Sequence, residues 1–230
     1  MKTSIFLIGI FIINLPAFSQ TQELKPTETG ALANVLVTNM SDKPSKGDKV
    51  SFIGKKTGKI VSGVTKSNGK FSVLIPKGDT YEIKCQSFEN DDKYSTVEIP
   101  NLKGNMSFDV VIKYELPKVY RLENVYFDTG KSSLKPESFI SLNNLAELLQ
   151  YKEDMIIEIS GHTDDVGDDN ANQKLSEERA VSVKKYLIKK GIFENRIISI
   201  GYGESQPIAY NSDSTGRQQN RRTEVRIIKE

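Results

Sequence analysis

The sequence has few of the residues from which metal sites and disulfide frameworks are built. Its 230 residues contain one cysteine, Cys85, and one histidine, His162. A single cysteine excludes an intramolecular disulfide, and one residue of each kind excludes a zinc site made of cysteine and histidine. Cys85 lies in a β-prone stretch and is interpreted as a small buried hydrophobe. The acidic residues after Thr163 do not have the spacing of an EF-hand, and Gly201-Tyr202-Gly203 lacks the third glycine of a nucleotide motif, so we expect no metal ion or other cofactor.

The sequence also lacks an excess of charge of one sign. Its 32 lysines and arginines and 30 acidic residues leave a formal net charge of +2. Proteins that bind nucleic acid usually concentrate basic residues in a patch, and the pair Arg221-Arg222 is too short to be one. The sequence therefore argues against a nucleic-acid partner. A hydrophobic content of 37% and a charged content of 27% are typical of a globular protein.

Long apolar runs are confined to the amino terminus. Lys2 precedes an apolar stretch over residues 5–15, and Ala17-Phe18-Ser19 follows with small residues at the positions that a signal peptidase reads. The stretch is short for a membrane anchor. We therefore predict a signal peptide over residues 1–19 and export of the protein. Residues 20–30 are polar and without periodicity, which predicts a flexible leader.

Residues 31–115 are predicted to form an all-β domain. Short β-prone runs alternate there with turns rich in glycine, asparagine and proline, a spacing typical of a small β-sandwich. Asn68-Gly69 is the strongest hairpin signal. The seven runs are Val35–Val37, Lys49–Ile53, Ile60–Thr65, Lys70–Ile75, Tyr81–Cys85, Ser95–Ile99 and Met106–Ile112.

One pattern within these strands resembles the carboxypeptidase regulatory-like, transthyretin-like sandwich. It consists of Gly63-Val64-Thr65, Asn68-Gly69-Lys70-Phe71, Ile75-Pro76-Lys77-Gly78 and Tyr81. The resemblance implies a non-catalytic spacer or a module that contacts another protein of the outer membrane or periplasm. A generic immunoglobulin-like sandwich fits the same residues.

Beyond Pro117 the pattern changes to alternating strands and helices. Proline disfavours a continued strand ladder, so this position is a natural boundary. Residues 119–230 are predicted to form a second domain, an α/β sandwich with the order βαβαββ. Its strands are predicted at 119–126, 155–160, 196–201 and 223–228, and its helices at 136–150 and 172–190.

A fixed acid and a fixed base flank the predicted loop-to-helix junction of this second domain. Asp164 follows a strand end, where loops hold binding residues on a rigid frame. Asn172 and Arg179 are about two helical turns apart and share a face, with Leu175 between them. Asp164 can accept an ammonium group, while Arg179 and the amides of the helix N-terminus can hold a carboxylate. These residues predict a receptor for an amino-acid-like end group.

The same segment resembles the peptidoglycan-binding domain of the OmpA family. The resemblance rests on several blocks in a fixed order, which together span about half of the chain. They are Val125–Ser132, Ile159–Asp164 with Gly167, Asn172–Ala180, Gly201–Glu204 with Pro207, and Asn220–Arg222.

The resemblance implies that the chain binds peptidoglycan without covalent chemistry, through the diaminopimelate of a stem peptide. Asp164 and Arg179 are then the principal ligands, and Asn172 and Leu175 shape the pocket. Asp128, Thr129 and Arg221 border it. The expected location is the periplasm of a Gram-negative bacterium, in association with the outer membrane and peptidoglycan.

Two other functions stay open from the sequence. A cell-wall hydrolase needs paired carboxylates or a nucleophile with a base. His162 has no serine or cysteine nucleophile in a recognisable motif, and a nearby Arg179 favours the charged form of Asp164, which suits a general acid poorly. A motility stator or transport component would need a lasting membrane helix near the amino terminus. We expect a binding protein rather than an enzyme, with a structural, hydrogen-bonded role for His162.

Overall fold

The computed structural model describes residues 24–89, 91–128 and 130–230. The predicted signal peptide, the first residues of the leader and Thr129 lie outside the described residues. In chain order the strands and helices are β1 Gly30–Thr38, β2 Lys49–Gly54, β3 Ile60–Val64, β4 Lys70–Pro76, β5 Asp79–Cys85, β6 Asp92–Ile99, β7 Ser107–Lys113, β8 Val119–Arg121, α1 Ser138–Tyr151, β9 Ile156–Gly161, α2 Asp169–Lys189, β10 Ile197–Gly201, α3 Ser214–Asn220 and β11 Thr223–Lys229.

The first seven strands form two sheets, and each corresponds to one of the predicted β-prone runs. One sheet has the order β4-β1-β7, in which β1 is antiparallel to β4 and parallel to β7. The other has the order β3-β2-β5-β6 and is antiparallel throughout. The predicted hairpin at Asn68-Gly69 joins β3 to β4, and Gly69 has a φ of 71°, which favours glycine.

Apolar side chains from both sheets form one buried cluster. Val35, Phe52, Tyr81 and Ile112 are among its members, so strands of the two sheets contribute to the same core. Cys85 belongs to this cluster, and burial raises the pKa of its thiol to about 12. The interpretation of Cys85 as a buried hydrophobe agrees with this environment. The resemblance to a particular sandwich family and the proposed domain division stay predictions.

The last four strands form a separate sheet with the order β10-β9-β11-β8. Strands β9 and β10 are parallel, and β11 is antiparallel to both of its neighbours. Helices α1 and α2 supply Leu142, Leu145, Val183 and Leu187 to a core that also contains Ile159 of β9. Within residues 24–89, 91–128 and 130–230, no helix is both long and apolar enough to cross a membrane.

The structure corrects the predicted element order in this second part. A short helix, α3, lies between β10 and β11, so the order is βαβαβαβ rather than βαβαββ. Its sequence, STGRQQN, carries no apolar periodicity, and its start is fixed by the Asp213 carboxylate, which accepts a hydrogen bond from Gly216 N at 2.8 Å. Strand β8 is also shorter than predicted and ends at Arg121, because the chain then turns into a hairpin.

Two glycines let α2 lie directly on the sheet. A Cβ on Gly161 would stand 2.2 Å from the Ser176 carbonyl oxygen, and one on Gly201 would stand 2.3 Å from Glu177 N. Ser176 Oγ fixes the same contact by accepting a hydrogen bond from Gly203 N at 2.9 Å. This close approach sets the position of α2 relative to the ends of β9 and β10.

The loop before β2 packs against the C-terminal end of α1. A Cβ on Gly47 would stand 2.2 Å from the carbonyl oxygen of Tyr151. Lys152 Nζ lies 2.5 Å from Asp48 Oδ1, and both side chains are largely buried. Lys49 Nζ lies 2.7 Å from Glu147 Oε1. Ion pairs and backbone contact therefore join the N-terminal sheets to the α/β part.

Candidate functional site

A hairpin between β8 and α1 forms one wall of the candidate site. Lys135 N donates to the Tyr126 carbonyl at 2.9 Å, and Asp128 N donates to the Ser133 carbonyl at 3.2 Å. Gly130 at its turn has a φ of 67°, which L-residues rarely adopt. Ser138 Oγ accepts from Tyr126 N at 2.8 Å and anchors the hairpin to the start of α1. We call residues 126–135 the site hairpin.

Arg179 connects α2 to the site hairpin. Its Nε donates to the Lys131 carbonyl at 3.1 Å, and its guanidinium lies 5.2 Å from the centre of the Phe127 ring. The side chain is half-buried, and burial is the main cause that lowers its pKa. The positive charge of Arg221 lowers that pKa further, and Asp164 opposes the shift. Arg179 is therefore a fixed cation beside a second arginine.

Asp164 forms its direct ion pair with Arg221. Asp164 Oδ2 lies 2.5 Å from Arg221 Nη1, and the aspartate is only 8% exposed. Asp164 Oδ1 accepts from Val166 N at 3.3 Å. In the part of the chain that the structure describes, Arg179 has no carboxylate within 4.0 Å. The prediction that Arg221 only borders the site understated its role, because it is the immediate partner of Asp164.

Asn172 holds the loop after Asp164 in place. Its Nδ2 donates to Glu204 Oε2 at 2.8 Å, to the Asp164 carbonyl at 3.2 Å and to the Val166 carbonyl at 3.3 Å. The residue is buried, so these contacts replace solvent. Asn172 therefore acts on the site by fixing the backbone that carries Asp164.

The remaining predicted site residues take less direct positions. Leu175 is half-buried and belongs neither to the apolar core nor to the lining of the cleft described below. Asp128 lies in the site hairpin, where its carbonyl accepts from Lys131 N at 2.9 Å. Thr129 lies outside the described residues. The structure thus brings Arg179, Asp164 and Arg221 together, and the role of Leu175 stays a prediction.

The predicted contribution of the α2 N-terminus to a bound carboxylate stays a prediction. Helix α2 begins at Asp169, ahead of the predicted start at Asn172. The Asp168 carboxylate already accepts from Ala171 N at 2.9 Å, so that first-turn amide is occupied. Arg179 lies about 15 Å further along the helix. Arg179 therefore lies beyond the first turn, to which the effect of the helix dipole is mainly confined.

A cleft of about 510 Å³ opens between the site hairpin and the arginines. Its charged lining is strongly basic, because Glu123 is the one acid among the described lining residues. Tyr126 and Phe127 supply aromatic surface, and Asp164 lies behind Arg221 rather than in the lining. The basic lining residues are Arg121, Lys135, Arg179, Arg221 and Arg222. This arrangement suits a ligand that carries carboxylates.

Sequence reasoning missed Lys135, Tyr126 and Arg121 as residues of the cleft. The positions of Tyr126 and Lys135 depend on the site hairpin, which begins after β8 has ended at Arg121. The available signal was Gly130, since glycine favours turns. The turn was missed because the predicted strand extended over residues 119–126.

His162 is buried, but it is not hydrogen-bonded through its ring as predicted. Its ring stacks on Tyr202, with 5.3 Å between ring centres. Among the described residues neither ring nitrogen has a hydrogen-bond partner. Its Nε2 lies 3.8 Å from Glu224 Oε2, too far for a hydrogen bond. Burial, aided by the charge of Arg222, lowers the pKa of His162 to about 4, so the ring is neutral near pH 7.

Comparison with known proteins identifies relatives of this chain. Outer membrane porin F of Pseudomonas fluorescens is 44% identical over 111 residues, which are 48% of this chain and 34% of that protein. The peptidoglycan-associated lipoprotein of Buchnera aphidicola is 28% identical over 172 residues, 74% of this chain and 96% of that protein. The peptidoglycan-binding protein ArfA of Mycobacterium bovis is 36% identical over 101 residues, 44% of this chain and 31% of that protein.

The chain spans only about a third of the porin relative, so the likeness concerns one region of that protein. The model of the OmpA family matches residues 126–221 of this chain. That range contains the site hairpin, Asp164, Arg179 and Arg221. Residues 126–221 are therefore an OmpA family domain.

Proposed function

We propose that the OmpA family domain binds peptidoglycan non-covalently, through the diaminopimelate of a stem peptide. The observation that carries the proposal is Arg179, a fixed and half-buried guanidinium that faces a cleft without an acidic partner in the described residues. Such a group favours a carboxylate ligand, which it can hold through two parallel hydrogen bonds.

The proposed contacts divide the ligand between the two charges. Arg179 uses its Nε for the Lys131 carbonyl, so the two terminal nitrogens are left for a ligand carboxylate. The ligand ammonium is assigned to Asp164. Since Asp164 already pairs with Arg221, the ammonium must share this carboxylate or displace the arginine, whose side chain is 45% exposed. Arg221 is therefore a third ligand-binding residue.

The names of two relatives support this proposal. One is a peptidoglycan-associated lipoprotein that matches 74% of this chain, and another is a peptidoglycan-binding protein that matches 44% of it. We propose that the protein works in the periplasm of a Gram-negative bacterium, where it anchors itself and the outer membrane to the cell wall. The binding requires no catalytic step. The partner of the N-terminal strands stays a prediction.

Co-sedimentation with purified peptidoglycan sacculi tests the proposal. The wild-type protein should pellet with sacculi, and Asp164→Ala and Arg179→Ala should each reduce the pelleted fraction at least ten-fold, as expected for loss of a charged contact. Asp165→Ala and Lys185→Ala are matched controls, because both residues are exposed and lie near the site or on the same helix. A wild-type protein that stays in the supernatant would contradict the proposal, and circular dichroism would show whether the variants are folded.

A further inference from the structure

The charges of the cleft are unevenly compensated. Arg222 Nε lies 2.6 Å from Glu224 Oε1, and Arg221 Nη1 lies 2.5 Å from Asp164 Oδ2. Arg121 Nε lies 3.6 Å from Glu123 Oε1. The two other basic residues of the lining are Arg179 and Lys135, and neither has a carboxylate within 4.0 Å among the described residues.

The two uncompensated cations belong to different walls. Arg179 projects from α2, whereas Lys135 lies at the end of the site hairpin, where its backbone N donates to Tyr126. Arg179 is held by the Lys131 carbonyl and the Phe127 ring, while the Lys135 side chain is exposed. The cleft between them measures about 510 Å³, which is the size of a peptide-binding site and far exceeds one carboxylate.

Of these two cations, Arg179 is the one whose charged form is destabilised by its surroundings. Its guanidinium is half-buried next to Arg221, and these two effects lower its pKa. A bound anion would relieve both. One carboxylate at Arg179 still leaves Lys135 of the site hairpin without a counter-charge among the described residues.

We propose that the cleft contains a second anion subsite at Lys135, so that the domain prefers stem peptides with two free carboxylates to peptides amidated at one of them. The inference rests on the proposed function and adds to it the charge class of the ligand. Tyr126 lines the cleft within the same site hairpin and supplies an aromatic surface for the peptide. Amidation of a stem peptide would then weaken binding without touching Asp164 or Arg179.

Isothermal titration of the full chain with three synthetic peptides tests this inference. The parent is a stem tripeptide that ends in diaminopimelate and has three free carboxylates. The carboxylate beside the free ammonium is the one assigned to Arg179, and each other peptide is amidated at one of the remaining two. The wild-type protein should bind the parent about three- to five-fold more tightly than the peptide amidated at the group facing Lys135, the effect of one exposed ion pair. Lys135→Gln should abolish that preference by weakening only the parent and the peptide amidated elsewhere.

Lys185→Gln removes one positive charge from an exposed position of α2 and is the matched control. Equal binding of the parent and both amidated peptides to wild type would overturn the second subsite and leave the proposed function intact. An equal loss of affinity for all three peptides in Lys135→Gln would also overturn it, since that result describes a general attraction. Failure of wild type to bind any of the peptides would overturn the proposed function together with this inference.

Discussion

The carboxylate of Asp164 meets the guanidinium of Arg221 at 2.5 Å, whereas Arg179, the other arginine of the site, faces the cleft without a carboxylate within 4.0 Å in the described residues. Asp164 is therefore paired with only one of the two arginines. One arginine neutralises the aspartate, and the other faces the cleft.

Replacement of Arg221 by glutamine should destabilise the fold. The variant leaves Asp164, which is only 8% exposed, without its counter-ion. Because Arg221 is 45% exposed and the pair is partly screened, we expect a loss of about 1–2 kcal/mol, below the value for a fully buried pair. Urea denaturation measures this loss. The Asp164→Asn/Arg221→Gln double variant should lose less than the sum of the two single variants, and strict additivity would contradict the coupling.

Replacement of Asn172 by alanine should disorder the loop that carries Asp164. The change removes the donor for the Asp164 and Val166 carbonyls and for Glu204. Buried polar groups that lose their partner cost about 1–3 kcal/mol, so both unfolding free energy and binding to sacculi should fall. Lys174→Ala, an exposed neighbour on the same helix, is the control. Wild-type stability in Asn172→Ala would show that the loop does not depend on this amide.

The local patterns of the sequence predicted most of the secondary structure. The alternation of β-prone runs and turns predicted strands β1 to β7, and the apolar faces of α1 and α2 predicted both long helices. Helix α3 was missed because seven polar residues carry no apolar period and its start depends on one side-chain contact, from Asp213. Patterns of hydrophobicity identify elements that bury a face, and α3 has little apolar surface to bury.

The sequence predicted which residues belong to the candidate site better than it predicted which of them form ion pairs. The spacing of Asp164 and Arg179 marked the region, but nothing local indicates that Asp164 pairs with Arg221, which is distant in sequence. That pair depends on the antiparallel packing of β11 beside β9, which brings Thr223 opposite Gly161. Lys135 was missed for a similar reason, since the site hairpin determines where it lies.

Acidification should destabilise the protein through His162. The folded pKa of about 4 lies below the ordinary value of 6.5, so between these pH values the unfolded chain binds a proton that the folded chain does not. Stability is therefore complete above pH 6.5 and falls as the pH drops toward 4, by about 3 kcal/mol in all. Urea denaturation at a series of pH values measures this loss.

The His162→Phe variant separates this titration from that of the surrounding charges. Phenylalanine retains an aromatic ring against Tyr202 and removes the two buried nitrogens that have no partner in the described residues. Glu158, Glu224, Arg222 and Arg226 stay in place, so their contribution to the pH dependence is common to both proteins. The stability difference between the variant and wild type should grow in favour of the variant as the pH falls. A constant difference from pH 7 to pH 4 would refute the role of His162.

Gly47 should be essential for the contact between the N-terminal sheets and α1. Its φ of 77° disfavours any other residue, and a Cβ there would stand 2.2 Å from the Tyr151 carbonyl oxygen. Gly58 is the matched control, because it has a similar φ of 66° but no atom within 4 Å of the added Cβ. Gly58→Ala should therefore lower the free energy of unfolding by only the backbone strain, about 1 kcal/mol, while Gly47→Ala should lower it by at least about 2 kcal/mol more.

The methyl group added in Gly47→Ala should also push the loop away from α1. The ion pairs of Lys152 with Asp48 and of Lys49 with Glu147 should then weaken as well. Calorimetry should then resolve two unfolding transitions in Gly47→Ala and one in Gly58→Ala, and identical melting of the two variants would show that the interface tolerates the displacement.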